Sequence, residues 1–530
     1  MPHAAAPETE ATPADLAGAR RACWLAGALA LAVDVATTSH TVLPADPGEF
    51  QTMSRVGGIS HSGYAPVVLL LRAFGALPLG TPAFRANLLS CLAGALAVGL
   101  LAYVAARFTR RPFAGVVAAL AFALSRSAWK ESTEAGVHAV TLALDATVFV
   151  LLLRFVRRPD KRGAFFMGLA GGLAALSHLS AWSLVPVVLA AAIALARTGR
   201  LRAAHVTLAA LGVVLGLSTL ITMLASDRPA QPMNYLEDVM RLEPAEYFPN
   251  APVPVTRLER ATWLMTGRQY LAFPHPAGYV APTRTERFIA LAVEEVVNQF
   301  PLVGWPLAAL GAWWLIRRRV PGAWLAIVWA ASALALTNTV TSGFPNGYFF
   351  LPGAWCGALG IAAALAFLGE RAPRAMAAVA ALVLLAPLAR VALRDPPPPL
   401  DRYHLTRSAW HMWPAEWNPF HHDARWDAYG RRVMGELPPR ASVLAGWDDG
   451  NVLRYFCYAE PLRRDVRVVL TGAQPRRVAR AVTLERAAGR PVFATFPRVA
   501  GTPDSLEFAP LAAARDTLLW RLDWRAPARP

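Results

Sequence analysis

Lysine is almost missing from this chain: lysine and arginine together number 52, yet only Lys130 and Lys161 are lysines. Cysteine is nearly as scarce, at Cys23, Cys91, Cys356 and Cys457. Three of the four fall in or near apolar runs, so they supply neither a disulfide framework nor a paired metal-binding set. Charge is short as well, at 16% of residues, against about a quarter in an ordinary soluble domain. With 55% hydrophobic residues among the 530, this excludes a soluble globular protein over the whole length.

The apolar residues are gathered into runs such as Val206 to Ala225, Gly347 to Leu368 and Ala375 to Leu393. Runs of about 20 residues match the thickness of a bilayer core, where the backbone must satisfy its own hydrogen bonds as helix. The formal charge of +17 raises the possibility of nucleic acid. The arginines instead form short clusters between the runs: Arg20-Arg21, Arg107 with Arg110-Arg111, Arg154 to Arg162, Arg197 to Arg202, Arg317 to Arg319, and Arg371 with Arg374. That spacing marks the cytoplasmic ends of membrane spans, and no nucleic-acid partner is expected.

Setting the clusters on one side predicts an α-helical polytopic membrane protein of about eleven spans, with a small C-terminal extracytoplasmic α/β domain. The predicted spans are 23–42, 85–106, 113–128, 137–156, 164–176, 182–196, 204–225, 301–316, 323–336, 348–368 and 375–393. Residues 1–19 are expected to be a disordered cytoplasmic tail and 20–394 the membrane domain. Its first span lacks a small-residue cleavage site and reads as a retained signal anchor. External loops are expected at 45–84 and 226–286, with an interfacial or re-entrant helix over Ala65 to Leu77. The prolines 396–399 make a stiff spacer into a domain covering 395–530. There, Ser442 to Leu444, Val466 to Leu470 and Pro491 to Phe496 read as strands. The arginine bias and the Ala/Pro richness suit a GC-rich bacterial genome, hence an inner membrane.

Acids just beyond span ends are the features that discriminate between functions. Asp46 and Glu49 follow span 1 with Pro47 between them, and i, i+3 side chains share a helical face. The same spacing equally suits a capping Asp46 and a solvated Glu49. His61 and Tyr64 follow in the same loop. Trp129, Glu131, Glu134 and His138 join spans 3 and 4, His178 and Trp182 join spans 5 and 6, and Asn338, Asn346 and Tyr348 join spans 9 and 10. Each alone reads as structural, but together they ring one face of the bundle, and polar groups at membrane depth mark sites. Arg72, Arg85 and Arg126 could hold a lipid phosphate or simply anchor headgroups. His421-His422-Asp423 reads as surface. Two other classes stay open. A lipid-linked transporter or flippase would use acids within spans, for which Asp34, Asp145 and Glu294-Glu295 are candidates. A non-catalytic scaffold would only present the C-terminal domain.

Five ordered segments resemble the protein O-mannosyltransferase-like membrane family, shared by bacterial membrane proteins and the plexin-type O-mannosyltransferase. They are Asp46-Pro47-Gly48-Glu49-Phe50, Gly58 to Pro66 (Gly-Ile-Ser-His-Ser-Gly-Tyr-Ala-Pro), Arg85-Ala86-Asn87-Leu88-Leu89-Ser90, Ser177-His178-Leu179 and Arg463 to Val469. The family's Ala-Glu-Val-Tyr stands here as Ala135-Gly136-Val137-His138, with Glu134 the nearest acid. The resemblance implies a GT-C fold and an inverting hexosyltransferase that moves mannose from a polyprenyl-phosphate donor to a protein or glycan hydroxyl. It implies no obligatory cofactor and no metal. Asp46 would be the general base, with Glu49 orienting the acceptor or raising a neighbouring carboxyl pKa by like-charge repulsion. His61, Tyr64, Arg72, Arg85, Asn87, Glu134, His138 and His178 would bind substrate.

Overall fold

The computed structural model describes residues 12–242, 252–268, 283–295, 299–300, 303–340, 347–392, 424–472, 474–511 and 518–525. Asn346, the prolines 396–399 and His421-His422-Asp423 lie outside the described residues.

Thr12 opens helix α1 (Pro13–Thr37) through a reciprocal capping box with Asp15. The helix runs antiparallel to α4 (Pro82–Thr109): a Cβ on Gly27 would press on Ala95 and Gly99, and one on Gly18 on Pro112. Between them α2 (Ala45–Val56) and α3 (Ala65–Gly75) fold back over the end of the bundle. The apolar stretch after residue 65 is thus a short helix, with Val67 and Leu71 buried.

Span 3, expected over 113–128, is bent by 70° between α5 (Pro112–Ala123) and α6 (Arg126–Thr133). The cause is local, because α6 is Arg-Ser-Ala-Trp-Lys-Glu-Ser-Thr, too polar to continue an apolar span. Then follow α7 (His138–Arg157), α8 (Lys161–Ser177), a 3-10 turn (Leu179–Leu184), α9 (Val185–Arg197) and α10 (Ala203–Leu217). Among the described residues six helices have the length and apolarity to cross a membrane: Pro13–Thr37, Pro82–Thr109, His138–Arg157, Leu179–Arg197, Ala203–Ser226 and Tyr348–Arg371. The bent pair makes a seventh if counted as one span. The other expected spans fall on the helices α8, Gly304–Arg317, Ala323–Val340 and Pro373–Ala392. The helix Leu351–Arg371 is the core of the bundle, buried from Leu351 through Ala366. Trp355 donates from Nε1 to the Ala97 carbonyl at 3.0 Å and packs with Phe149 and Trp329 at ring separations of 5.7 and 5.3 Å.

α8 and α10 meet along facing glycines. A Cβ on Gly168 or Gly172 would collide with the carbonyls of Ala209 or Val213, and one on Gly212 or Gly216 with those of Phe165 or Leu169. This is the small-xxx-small device that lets membrane helices approach closely. Gly168→Ala is expected to cost about 1–3 kcal/mol through overpacking and to lower the melting temperature in detergent. Gly171→Ala, whose Cβ would meet nothing within 4 Å, is the control expected to leave it unchanged.

The arginine clusters converge on one end of the bundle. Arg200 donates to the Arg157 carbonyl, and Arg318 pairs with Glu370 at 2.8 Å. At the opposite end, α11 (Leu220–Ser226) leads to α12 (Tyr235–Leu242) and to the C-terminal unit. That unit holds a five-stranded sheet of β1 (Ser442–Ala445), β2 (Arg467–Leu470), β3 (Val492–Ala494), β4 (Leu506–Pro510) and β5 (Trp520–Trp524), in the order β2-β1-β3-β5-β4. β1 is parallel to β2 and β3, while β5 is antiparallel to β3 and β4. Parallel pairs need crossovers, and the helices Trp447–Tyr458 and Pro475–Ala487 provide them. The first of these packs on α2, and α12 is tied to both: Arg454 donates to Asp238 at 2.7 Å and Arg241 to Glu485 at 2.5 Å.

Candidate active site

α2 has Pro44 as its N-cap, with no side-chain capping bond. Asp46 is therefore not a cap, and its side chain is 39% exposed at the face of the bundle. Glu49, one turn further, is not solvated: it is buried, with 3% exposure. The two carboxylates share an imidazole. Glu49 accepts from the His61 backbone N–H at 3.0 Å and meets His61 Nδ1 at 2.7 Å. His61 Nε2 faces Asp46 Oδ2 at 3.7 Å. The other Asp46 oxygen, Oδ1, accepts from Trp447 Nε1 at 2.7 Å.

The loop that carries His61 is built by its own sequence. Gly58 has φ of +121°, and a Cβ there would strike the Met233 carbonyl, so only glycine fits. That approach lets Ile59 N–H donate to Met233 O at 2.8 Å and Tyr235 N–H donate to Ile59 O at 3.0 Å. Ala45 and Tyr64, on either side of the acid–histidine set, sit at positive φ (56° and 46°). A non-glycine residue held there costs of order 1–3 kcal/mol, a strain that clusters at functional sites.

Burial opposes a charge on His61, but the Asp46 and Glu49 carboxylates outweigh it and push its pKa up to about 9. Burial likewise lifts the Glu49 carboxyl above its usual value, and the contact with His61 pulls it only part of the way back.

Rings continue the site away from Asp46. His61 lies 5.4 Å from Tyr64 and 5.2 Å from Trp447, and Trp447 lies 6.1 Å from Tyr235. Tyr64 is 6.0 Å from His178, which is 4.4 Å from His138 and 4.7 Å from Phe349. His138 is 4.9 Å from Tyr348, and its Nδ1 is buried without a hydrogen-bond partner among the described residues. His178 is held by the 3-10 turn, with Ser180 N–H donating to Nδ1 at 3.1 Å. Lys130, on the bent α6, pairs with Glu134 at 3.0 Å and Glu131 at 3.4 Å, within electrostatic range of His138 and Tyr348.

The fold thus gathers Asp46, Glu49, His61, Tyr64, Glu134, His138 and His178 at one end of the bundle. Asn87 is a hydrogen-bonded strut behind them. Its Oδ1 accepts from Gln51 at 3.1 Å and from Ala135 N–H at 2.8 Å, and its Nδ2 donates to Ser39 O at 2.9 Å. Arg72 and Arg85 are directed elsewhere. Arg72 donates to the Arg55 carbonyl, nine residues along α2 from Asp46 and so about 13 Å away at 1.5 Å per residue. Arg85 donates to Leu77 O at 2.7 Å. Asp34 and Asp145 lie buried within α1 and α7. Lys130, Tyr235 and Trp447 were not singled out from the sequence. For Lys130 the available signal was its rarity, as one of two lysines in a chain of arginines.

Residues 46–200 match the family profile of the protein O-mannosyl-transferase TMEM260 N-terminal domain. Over 151 residues the chain is 32% identical to protein O-mannosyl-transferase TMEM260 of Mus musculus, a stretch that is 27% of this chain and 22% of the mouse protein. The match therefore spans about a fifth of that relative. In structure, 94% of the chain superposes on 97% of ArnT from Cupriavidus metallidurans bound to undecaprenyl phosphate, with TM-score 0.54 and 16% identity. The apo form of ArnT gives TM-score 0.52 at 17% identity. At such identities the likeness is one of fold: this is a mostly helical, multi-pass membrane protein whose fold resembles that of ArnT.

Proposed function

We propose that the chain is a membrane glycosyltransferase that moves a sugar, mannose by its resemblance, from a polyprenyl-phosphate donor to a hydroxyl of a protein or glycan. The observation that carries this reading is the half-exposed Asp46 carboxylate, held from behind by the buried Glu49–His61 pair. The names of the relatives support it: one is an O-mannosyl-transferase, and another was crystallised with undecaprenyl phosphate.

The reaction runs as a single displacement. The acceptor O–H gives its proton to Asp46 as its oxygen bonds the anomeric carbon. The bond from that carbon to the phosphate oxygen breaks on the opposite face, and the polyprenyl phosphate leaves with the electron pair, inverting the centre. Lys130, the cation in range of His138 and Tyr348, is better placed than Arg72 or Arg85 to meet the leaving phosphate. The arginine clusters at the opposite end of the bundle support, through the positive-inside rule, a site and C-terminal unit on the outer side of a bacterial inner membrane.

Purified protein in nanodiscs, given radiolabelled polyprenyl-phosphate mannose and an acceptor peptide or glycan, is expected to move label onto the acceptor. A folded protein that transfers no sugar from any polyprenyl-phosphate donor overturns the reading.

A further inference from the structure

The carboxylate of Asp46 has two oxygens with different neighbours. Oδ2 faces His61, whereas Oδ1 is taken by the indole N–H of Trp447 at 2.7 Å. Trp447 lies 401 positions further along the chain, at the start of the first helix of the C-terminal unit. The helix closes on α2 where Gly48 leaves room, since a Cβ there would come within 3.3 Å of Asn451. Its first turn is anchored to the sheet by Asp449, which is buried and accepts from Thr495 Oγ1 at 2.5 Å. Two turns on, Arg454 is bonded to Asp238 of α12, and Arg241 of the same α12 is bonded to Glu485. α12 in turn is stitched through Tyr235 to Ile59, in the loop that carries His61. The Trp447 ring packs against both the His61 and Tyr235 rings, at 5.2 and 6.1 Å, and those two are 6.4 Å from each other.

We propose that Trp447 is a positioning residue for Asp46, so that the C-terminal unit completes the active site. The indole fixes the carboxylate by occupying Oδ1, and Oδ2, which lies 3.7 Å from His61 Nε2 and so beyond hydrogen-bond distance of it, is the oxygen that takes the acceptor's proton. A carboxylate on an exposed first turn is otherwise free to rotate about its side-chain torsions, and misplacing a reacting group by about 1 Å costs up to about 100-fold in rate. The C-terminal unit then acts on the chemistry through one hydrogen bond rather than by contact with the sugar.

The inference rests on the glycosyltransferase reading above, and the experiment separates the two. Trp447→Phe keeps the ring and removes the N–H. It is expected to lower kcat about 30-fold with the KM for the lipid donor unchanged and the melting temperature held. Trp447→His, which restores a ring N–H, is expected to recover most of that loss. In an Asp46→Asn background Trp447→Phe is expected to add nothing, because two residues acting through one group are not additive. An active wild type whose Trp447→Phe variant keeps its kcat, or whose loss is the same in both backgrounds, overturns the positioning role and leaves the transferase standing. An inert but folded wild type overturns the transferase reading and this inference with it.

Discussion

Replacing Asp46 by asparagine is expected to lower kcat by about 10²–10⁴-fold, the range a positioned general base supplies, while the donor KM changes less than about threefold. The substitution is nearly isosteric, and the amide oxygen can still accept from Trp447 Nε1, so the contact between α2 and the C-terminal unit survives. What is lost is the ability to take a proton. The exposure of Asp46 makes the prediction sharp, since at 39% it is the carboxylate of the acid–histidine set that an acceptor can reach. Glu49, at 3%, cannot meet the acceptor directly. Single-turnover transfer from a radiolabelled polyprenyl-phosphate sugar measures the chemical step apart from product release. A variant that retains more than a tenth of the wild-type rate, with melting temperature unchanged, removes Asp46 from the reaction.

The pair of acids was legible because local chemistry fixes it: an Asp-x-x-Glu spacing puts both groups on one helical turn whatever the tertiary structure. Their different fates were not legible. Which acid is buried depends on where His61 comes to rest, and that depends on Gly58 letting the chain approach Met233, a contact about 175 residues away in sequence. The apolar runs announced a polytopic bundle, but not that span 3 would turn through 70°, because a hydropathy window averages over the polar α6 that forces the bend. Arg72 and Arg85 were attractive as phosphate ligands by charge and position. Their guanidinium groups instead bond backbone carbonyls that the α2–α3–α4 turns leave open. Asn87 belongs to a segment whose resemblance suggested substrate binding, while its three hydrogen bonds serve the framework. Trp447 is the extreme case. No local pattern foretells a hydrogen bond spanning 401 positions, and only the docking of the Trp447–Tyr458 helix on α2 creates it.

The buried His61–Glu49 pair makes stability fall as the pH rises, and the sign follows from the direction of each shift. His61 is raised from 6.5 to about 9 in the folded protein, because the two carboxylates outweigh the cost of burial. A raised folded pKa means that the protonated form is the one folding favours. Its contribution is complete below about pH 6.5 and is lost as the pH climbs through about 9. The difference corresponds to about 3 kcal/mol. Glu49 is also raised, so its shift has the same sign, with stability lost as its carboxyl ionises above the ordinary glutamate value. The melting temperature of the wild type in nanodiscs is therefore expected to decline between pH 6.5 and 9. His61→Gln, which keeps an N–H for Glu49 but cannot titrate, is expected to flatten that decline. Glu49→Gln removes the negative charge beside Nδ1 while Asp46 remains at 3.7 Å, so the decline should shrink and shift to lower pH. A wild-type melting temperature flat across this window, or one that falls equally in His61→Gln, means that His61 is not held as a cation between the two acids, and the support assigned to Asp46 fails with it.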